Sequence, residues 1–116
     1  MRYMMLIYGN EANAATTSPE EQQAEMNAYN DFTQLVQNRG AFLAGEALHP
    51  TSSATTLRVR DGKVLSTDGP FAETKEQLGG FYMLKCANLD EAIELAAKIP
   101  GAQSGSIEIR PIVEWE

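Results

Sequence analysis

Two stretches of this chain leave few choices of fold: Tyr3 to Tyr8 and Gly80 to Cys86. Every residue of the first is apolar or aromatic, and only Lys85 interrupts the second, where its ammonium can extend past the strand end. Apolar runs this short suit strands rather than helices. A strand that is apolar on both faces has to be covered on both, so these two runs belong in the middle of a sheet and not at its edge.

The segments between them can be read from local signals. Ser18-Pro19-Glu20-Glu21 opens a helix, with Ser18 as N-cap, Pro19 in the first helical position and Glu21 as capping-box partner. Ala28, Tyr29, Phe32, Leu35 and Val36 recur at three- and four-residue spacing and give that helix one apolar stripe, which Arg39-Gly40 ends. The helix is predicted over about 20 to 39, after a loop through Gly9-Asn10 to Thr17. Ala41 to Leu48 reads as a strand stopped by His49-Pro50. Thr55 to Arg60 alternates, with Leu57 and Val59 on one face and Arg58 and Arg60 on the other, and Asp61-Gly62 turns it back into Lys63 to Ser66 as a hairpin with one wetter face. Asn88 and Glu91 start a second helix whose stripe is Leu89, Ala92, Ile93 and Ala96, stopped at Pro100-Gly101. A last alternating strand, Ser106 to Arg110, turns Ile107 and Ile109 inward, and Trp115 is expected to cover an apolar rim.

The order is strand, helix, strand with hairpin, strand, helix, strand. It predicts an α+β domain of ferredoxin-like βαββαβ type with an extra β-hairpin. In that topology the first and third main strands are central, and they are the two unbroken apolar runs. Helices cover only one face of such a sheet, so the other face requires a second cover. A second copy of the same sheet supplies it, and a homodimer with sheets face to face is expected.

At 116 residues the chain is expected to be one domain spanning 1–116. Its net charge of -7 argues against nucleic acid and anionic membrane surfaces as partners. The single cysteine, Cys86, allows no intramolecular disulfide and points to a reducing, cytoplasmic setting. The apolar N-terminal run is too short for a signal peptide, and no stretch approaches the roughly 20 apolar residues of a membrane span.

Thr67-Asp68-Gly69-Pro70-Phe71-Ala72-Glu73-Thr74-Lys75-Glu76-Gln77-Leu78-Gly79-Gly80 is the densest motif. With Met1-Arg2-Tyr3-Met4-Met5-Leu6-Ile7-Tyr8-Gly9, Ala54 to Lys63, Asn88 to Ile93 and Ser106 to Pro111, it resembles the DGPF branch of the YCII-related family over nearly the whole chain. That resemblance implies a dimeric α/β barrel of ferredoxin-like protomers, bacterial in distribution, whose members mostly have no assigned reaction. It also implies a neighbourhood of alternative sigma factors for some members, and action on small aromatic or chlorinated compounds for some wider relatives. The wider family's aspartate-type position pairs with a histidine on or near the first helix; here that helix contains none.

Two readings of the motif stand side by side. As a corner, Asp68 caps backbone N–H groups, Pro70 starts a short helical turn that Leu78-Gly79 ends, Thr74 and Gln77 form a capping box, and Phe71 anchors it. As a site, Asp68 lies at a strand end beside a cleft, where burial would raise its pKa and fit it for acid or base work, and His49, the only histidine, is its candidate catalytic partner. Phe71 and Tyr82 are the candidate pocket walls. Arg58, which can meet an anionic ligand or pair with Glu108, joins Glu73 as a candidate ligand contact. No ligand spacing for a metal, no nucleotide-binding glycine motif and no nucleophile elbow occurs, so neither metal nor cofactor is implied. The functional expectation is a small-molecule pocket, serving either a cofactor-free acid–base enzyme of lyase, isomerase or dehalogenase type, or a non-catalytic ligand-binding or regulatory module. A purely structural dimer is the third reading.

Overall fold

A computed structural model describes residues 1–115. Six strands and three helices follow one another as β1 (Arg2–Gly9), α1 (Glu11–Ala14), α2 (Pro19–Asn38), β2 (Phe42–Ala47), β3 (Thr55–Arg60), β4 (Lys63–Asp68), β5 (Gln77–Lys85), α3 (Leu89–Ala96) and β6 (Ser106–Pro111). Four strands make one open sheet in the order β2-β5-β1-β6, with every pair antiparallel, while β3 and β4 pair only with each other. The architecture is mixed α+β. The two unbroken apolar runs occupy the two central positions.

Alternation along β1 and β5 sorts their side chains. Tyr3, Met5, Tyr82 and Leu84 point to the helices and are buried with Phe32 and Val36 of α2, Ala92, Leu95 and Ala96 of α3, and Ile99. Ile107 and Ile109 pack against this core from β6, as their alternation predicts. The intervening residues Met4, Leu6, Phe81 and Met83 lie on the opposite face and remain half-buried. Of the three central methionines, therefore, only Met5 fills the core. Bulges at Gly79, facing β1, and at Leu43, facing β5, locally break the ladders.

The caps form as their residues require. The Ser18 hydroxyl accepts the Glu21 N–H at 3.1 Å, and Asn88 Oδ1 accepts the Glu91 N–H at 3.0 Å. The hairpin turn has φ of 52° at Asp61 and 75° at Gly62, the pair of positive values that matches strand twist in a two-residue loop.

Four expectations need correction. The segment from Gly9 to Thr17 is not all loop: Asn10 Oδ1 accepts the Ala12 N–H at 2.9 Å and opens α1. The buried stripe of α3 is Ala92, Leu95, Ala96 and then Ile99, whereas Leu89 and Ile93 are about half exposed. Both phases satisfy a 3.6-residue period, and docking on the sheet selects between them. The motif has no helical turn after Pro70; Gln77 to Gly80 extend β5 instead, because β1 and β2 offer them ladder partners. Trp115 covers no rim, being 90% exposed.

Cys86 is 2% exposed, and burial, reinforced by Glu91, pushes its thiol above the ordinary value. A raised folded-state value favours the protonated form. Its contribution to stability is intact below the unfolded thiol's pKa of about 8.5 and is lost as pH rises through the higher folded value. Maleimide labelling at pH 7.5 is therefore expected to be at least about ten times slower than for free cysteine, with full reactivity returning in urea. Labelling at the free rate in the native protein would contradict this burial.

Candidate functional site

α2 meets the sheet through its second half only. Phe32 and Val36 are buried, Tyr29 and Leu35 are half-buried, and every residue from Pro19 to Ala28 is exposed. The first half of the helix rises away from the sheet and leaves a cleft of about 1050 Å³ between itself, α1 and the ends of β1, β2 and β5. This volume falls in the upper range for small-molecule sites.

The floor is shaped by Tyr82. Its ring stands edge-on to Phe32 at a centroid distance of 5.0 Å and to Phe42 at 6.3 Å, and its hydroxyl shares a hydrogen bond with Thr33 Oγ1 at 2.8 Å. A Cβ at Gly45 would lie 2.7 Å from Tyr82 Cδ1, so the absence of a side chain there makes room for the ring. Ile7 and Phe42 add apolar wall, with Met26 on the helix side.

Polar groups concentrate on one row of α2. Glu25, Tyr29 and Thr33 are spaced four residues apart and share a helix face above the cleft. The Tyr29 hydroxyl accepts the Gly101 N–H at 3.1 Å, and its own proton has no acceptor among the described residues. Burial raises the Tyr29 pKa, with Glu25 adding to the effect and the Gly101 N–H partly offsetting it. Tyr29 is thus held neutral, as a donor. Glu11, Glu21, Glu25 and Glu46 are the charged residues of the lining; no Lys, Arg or His belongs to it.

A polar lock ties two residues of the lining, Glu11 and Gln77, to Thr51 and Thr74. Both Glu11 carboxylate oxygens are engaged at 2.8 Å, Oε1 by the Thr51 N–H and Oε2 by the Thr51 hydroxyl. The Glu11 N–H in turn donates to Gln77 Oε1 at 3.0 Å, and the Gln77 amide donates to the Thr74 carbonyl. Glu11 is therefore occupied in joining three segments: the start of α1, the turn at Thr51 and the start of β5. Gln77 serves this lock, not the capping box expected with Thr74.

Of the candidate site residues Asp68, His49, Phe71, Tyr82, Arg58 and Glu73, Tyr82 alone lines the cleft. Asp68 is exposed at the end of β4, opposite Thr55. Its carboxylate accepts no hydrogen bond among the described residues, so it does not cap the corner; the corner is closed by Gly69 N–H to Ala54 O at 2.7 Å and by the Thr56 hydroxyl to Gly69 O at 2.8 Å. His49 is exposed before Pro50, and no hydrogen bond links it to Asp68. Phe71 is 77% exposed and anchors nothing within the chain. Glu73 and Arg58 are exposed, and the ion pair of Arg58 with Glu108 does not form; the two ion pairs among the described residues are Arg2–Glu114 and Arg39–Glu94. Sequence reasoning assigned Tyr29 to the apolar stripe and passed over Thr33. The available signal was the polar row Glu25, Tyr29, Thr33 running beside that stripe.

Over residues 1–116 the chain matches the YCII-related domain. It belongs to the YCII-related family. A similar curated protein, an uncharacterized protein of Rhizobium meliloti (strain 1021), is 40% identical over 118 aligned positions, which cover 100% of this chain and 95% of that relative. Among the described residues of this YCII-related chain, no group of three or more His, Cys, Asp or Glu is placed to hold a metal ion, and no helix is long and apolar enough to cross a membrane.

Proposed function

We propose that this YCII-related protein binds a small molecule with an apolar body and an uncharged or cationic polar end in the α2 cleft. The observation that carries the reading is the Tyr29 hydroxyl, which lines an apolar-floored cleft with an acidic rim and donates to no group among the described residues. A carbonyl, ether or hydroxyl oxygen on the ligand would accept it, with Tyr82 as wall, while the carboxylates disfavour anions. The finer reading of the fold is a ferredoxin-like protomer of the DGPF branch, bacterial and cytoplasmic, paired sheet to sheet as a dimeric barrel. Half-buried Met4, Leu6, Phe81 and Met83 support the pairing.

The test is thermal denaturation against neutral aromatic compounds, amines and carboxylates of matched size. Neutral or cationic compounds should stabilise the protein, by about 2.7 kcal/mol at a ligand concentration of 100 times Kd. Tyr29→Phe should weaken binding by roughly tenfold, the worth of one hydrogen bond. Stabilisation by carboxylates alone, or by none of the three classes, would overturn the reading.

A second reading places acid–base chemistry of lyase, isomerase or dehalogenase type at Asp68, with His49 as candidate partner. It is favoured by the Asp68 carboxylate having no internal partner among the described residues. Acid–base work by so exposed a group needs surroundings supplied from outside the chain. A non-catalytic sensing module, linked to an alternative sigma factor, would use the α2 cleft and be indifferent to Asp68→Asn.

A further inference from the structure

The α2 residues that line the cleft, Glu21, Gln22, Glu25, Met26, Tyr29 and Thr33, are spaced as one helical face. Followed toward the sheet, the polar row on that face changes character. Glu25 is exposed at the mouth, Tyr29 is half-buried one turn further in, and Thr33 meets the Tyr82 hydroxyl at the floor. Four helical residues rise about 6 Å, so carboxylate and phenol are staggered along the cleft. The four carboxylates of the lining are not equivalent. Both Glu11 oxygens are held by Thr51, Glu21 Oε1 accepts the Ser18 hydroxyl at 3.0 Å, and Glu46 stands opposite Phe81, on the sheet face turned away from the helices. Glu25 alone faces the cleft with neither a hydrogen bond nor an ion pair among the described residues. It stands close enough to Tyr29 to reinforce the rise that burial gives the tyrosine's pKa. The Gly101 backbone holds the Tyr29 hydroxyl, approaching so closely that a Cβ at residue 101 would lie 2.8 Å from its oxygen.

We propose that the cleft selects a protonated amine joined through a short spacer to an ether, hydroxyl or carbonyl oxygen on an apolar body, and that Glu25 is the residue that sets this choice. The inference rests on the small-molecule reading of the preceding section and names the class within it. An ammonium only donates and a carboxylate only accepts, so the two form a charge-assisted bond that a neutral ligand end cannot match. No Lys, Arg or His of the lining competes for Glu25. The oxygen accepts from Tyr29, and the body lies on Tyr82, Phe42 and Ile7. The order of groups from mouth to floor thus fixes the order of groups on the ligand: cation, oxygen acceptor, apolar body. An ion pair at a wet surface is worth little when its partners must find each other. Here the apolar body is already held by the floor, and the tethered ammonium meets Glu25 without a second loss of translational freedom.

Three compounds separate the contributions: phenoxypropylamine; phenoxypropanol, with a hydroxyl in place of the ammonium; and phenylbutylamine, with a methylene in place of the ether oxygen. Their dissociation constants are measured by calorimetric titration of the full chain at neutral pH and low salt. Phenoxypropylamine is expected to bind about fivefold more tightly than phenoxypropanol, and more tightly than phenylbutylamine by the roughly tenfold factor that Tyr29→Phe also removes. Glu25→Gln, with its circular dichroism checked against wild type, should bring the amine-to-alcohol ratio to about one. Glu20→Gln removes the same charge from α2 outside the lining and should keep the ratio. Four results overturn the inference and leave the small-molecule reading standing: the alcohol or phenylbutylamine binding as tightly as phenoxypropylamine, a preference that survives Glu25→Gln, an equal loss in Glu20→Gln, or none of the three binding while other neutral aromatic compounds stabilise the protein. Absence of binding and of stabilisation by every compound overturns both.

Discussion

Tyr82→Ala is expected to lower the unfolding free energy by about 3–5 kcal/mol, the usual cost of truncating a buried aromatic side chain. The ring is 8% exposed and is held by Phe32, Phe42 and, through its hydroxyl, Thr33. Alanine leaves a hole where the core meets the cleft floor, and Gly45 across the strand has no side chain with which to fill it. With total stabilities of about 5–15 kcal/mol for a typical domain, this one change can take much of the whole. Urea titration of Tyr82→Ala beside Tyr82→Phe separates the two functions of the residue. Phenylalanine keeps the packing and forfeits only the hydrogen bond with Thr33, a loss of about 1 kcal/mol. Equal losses in the two variants would mean that the ring does not pack as described.

Gly105→Ala is expected to cost about 3 kcal/mol or more, by a different mechanism. A Cβ at residue 105 would overlap the Tyr8 carbonyl oxygen and stand 3.1 Å from Tyr8 C and 3.2 Å from Gly9 Cα. These are backbone atoms at the end of β1, which cannot swing aside as a side chain can. The start of β6 must separate from β1, where Tyr8 pairs with Ser106. Gly9→Ala is the matched control. A Cβ there meets nothing within 4 Å, and the change should stay within about 0.5 kcal/mol of wild type. A Gly105→Ala protein with an unchanged urea midpoint would show that β1 and β6 do not approach this closely.

How much of the site was legible in the sequence follows from what each residue's role depends on. Tyr82 was named from the sequence only as an apolar wall; the hydrogen bond that its hydroxyl shares with Thr33 depends on where α2 docks. Tyr29 reads as one more apolar position at helical spacing. Its hydroxyl becomes notable only because Gly101, seventy-two positions away, donates to it, and because the first half of α2 leaves the sheet instead of lying on it. Asp68 attracted attention through its motif, yet that motif is an exposed corner bonded through Gly69 and Thr56. The lock among Glu11, Thr51 and Gln77 joins three segments with no common local signature.

Periodicity and capping chemistry are local properties, and they settled the number and order of the main elements, the two helix starts, the hairpin turn and the central place of the two apolar runs. Those features depend on backbone angles and on which side chains avoid water, both written in short stretches of residues. The phase of α3, the extension of β5 through the glycines, the lift of α2 from the sheet and the resulting cleft depend instead on how whole elements dock. A helix with two admissible apolar stripes, or a strand with a partner on either side, reaches its lowest free energy only against its neighbours, so the tertiary structure alone decided them.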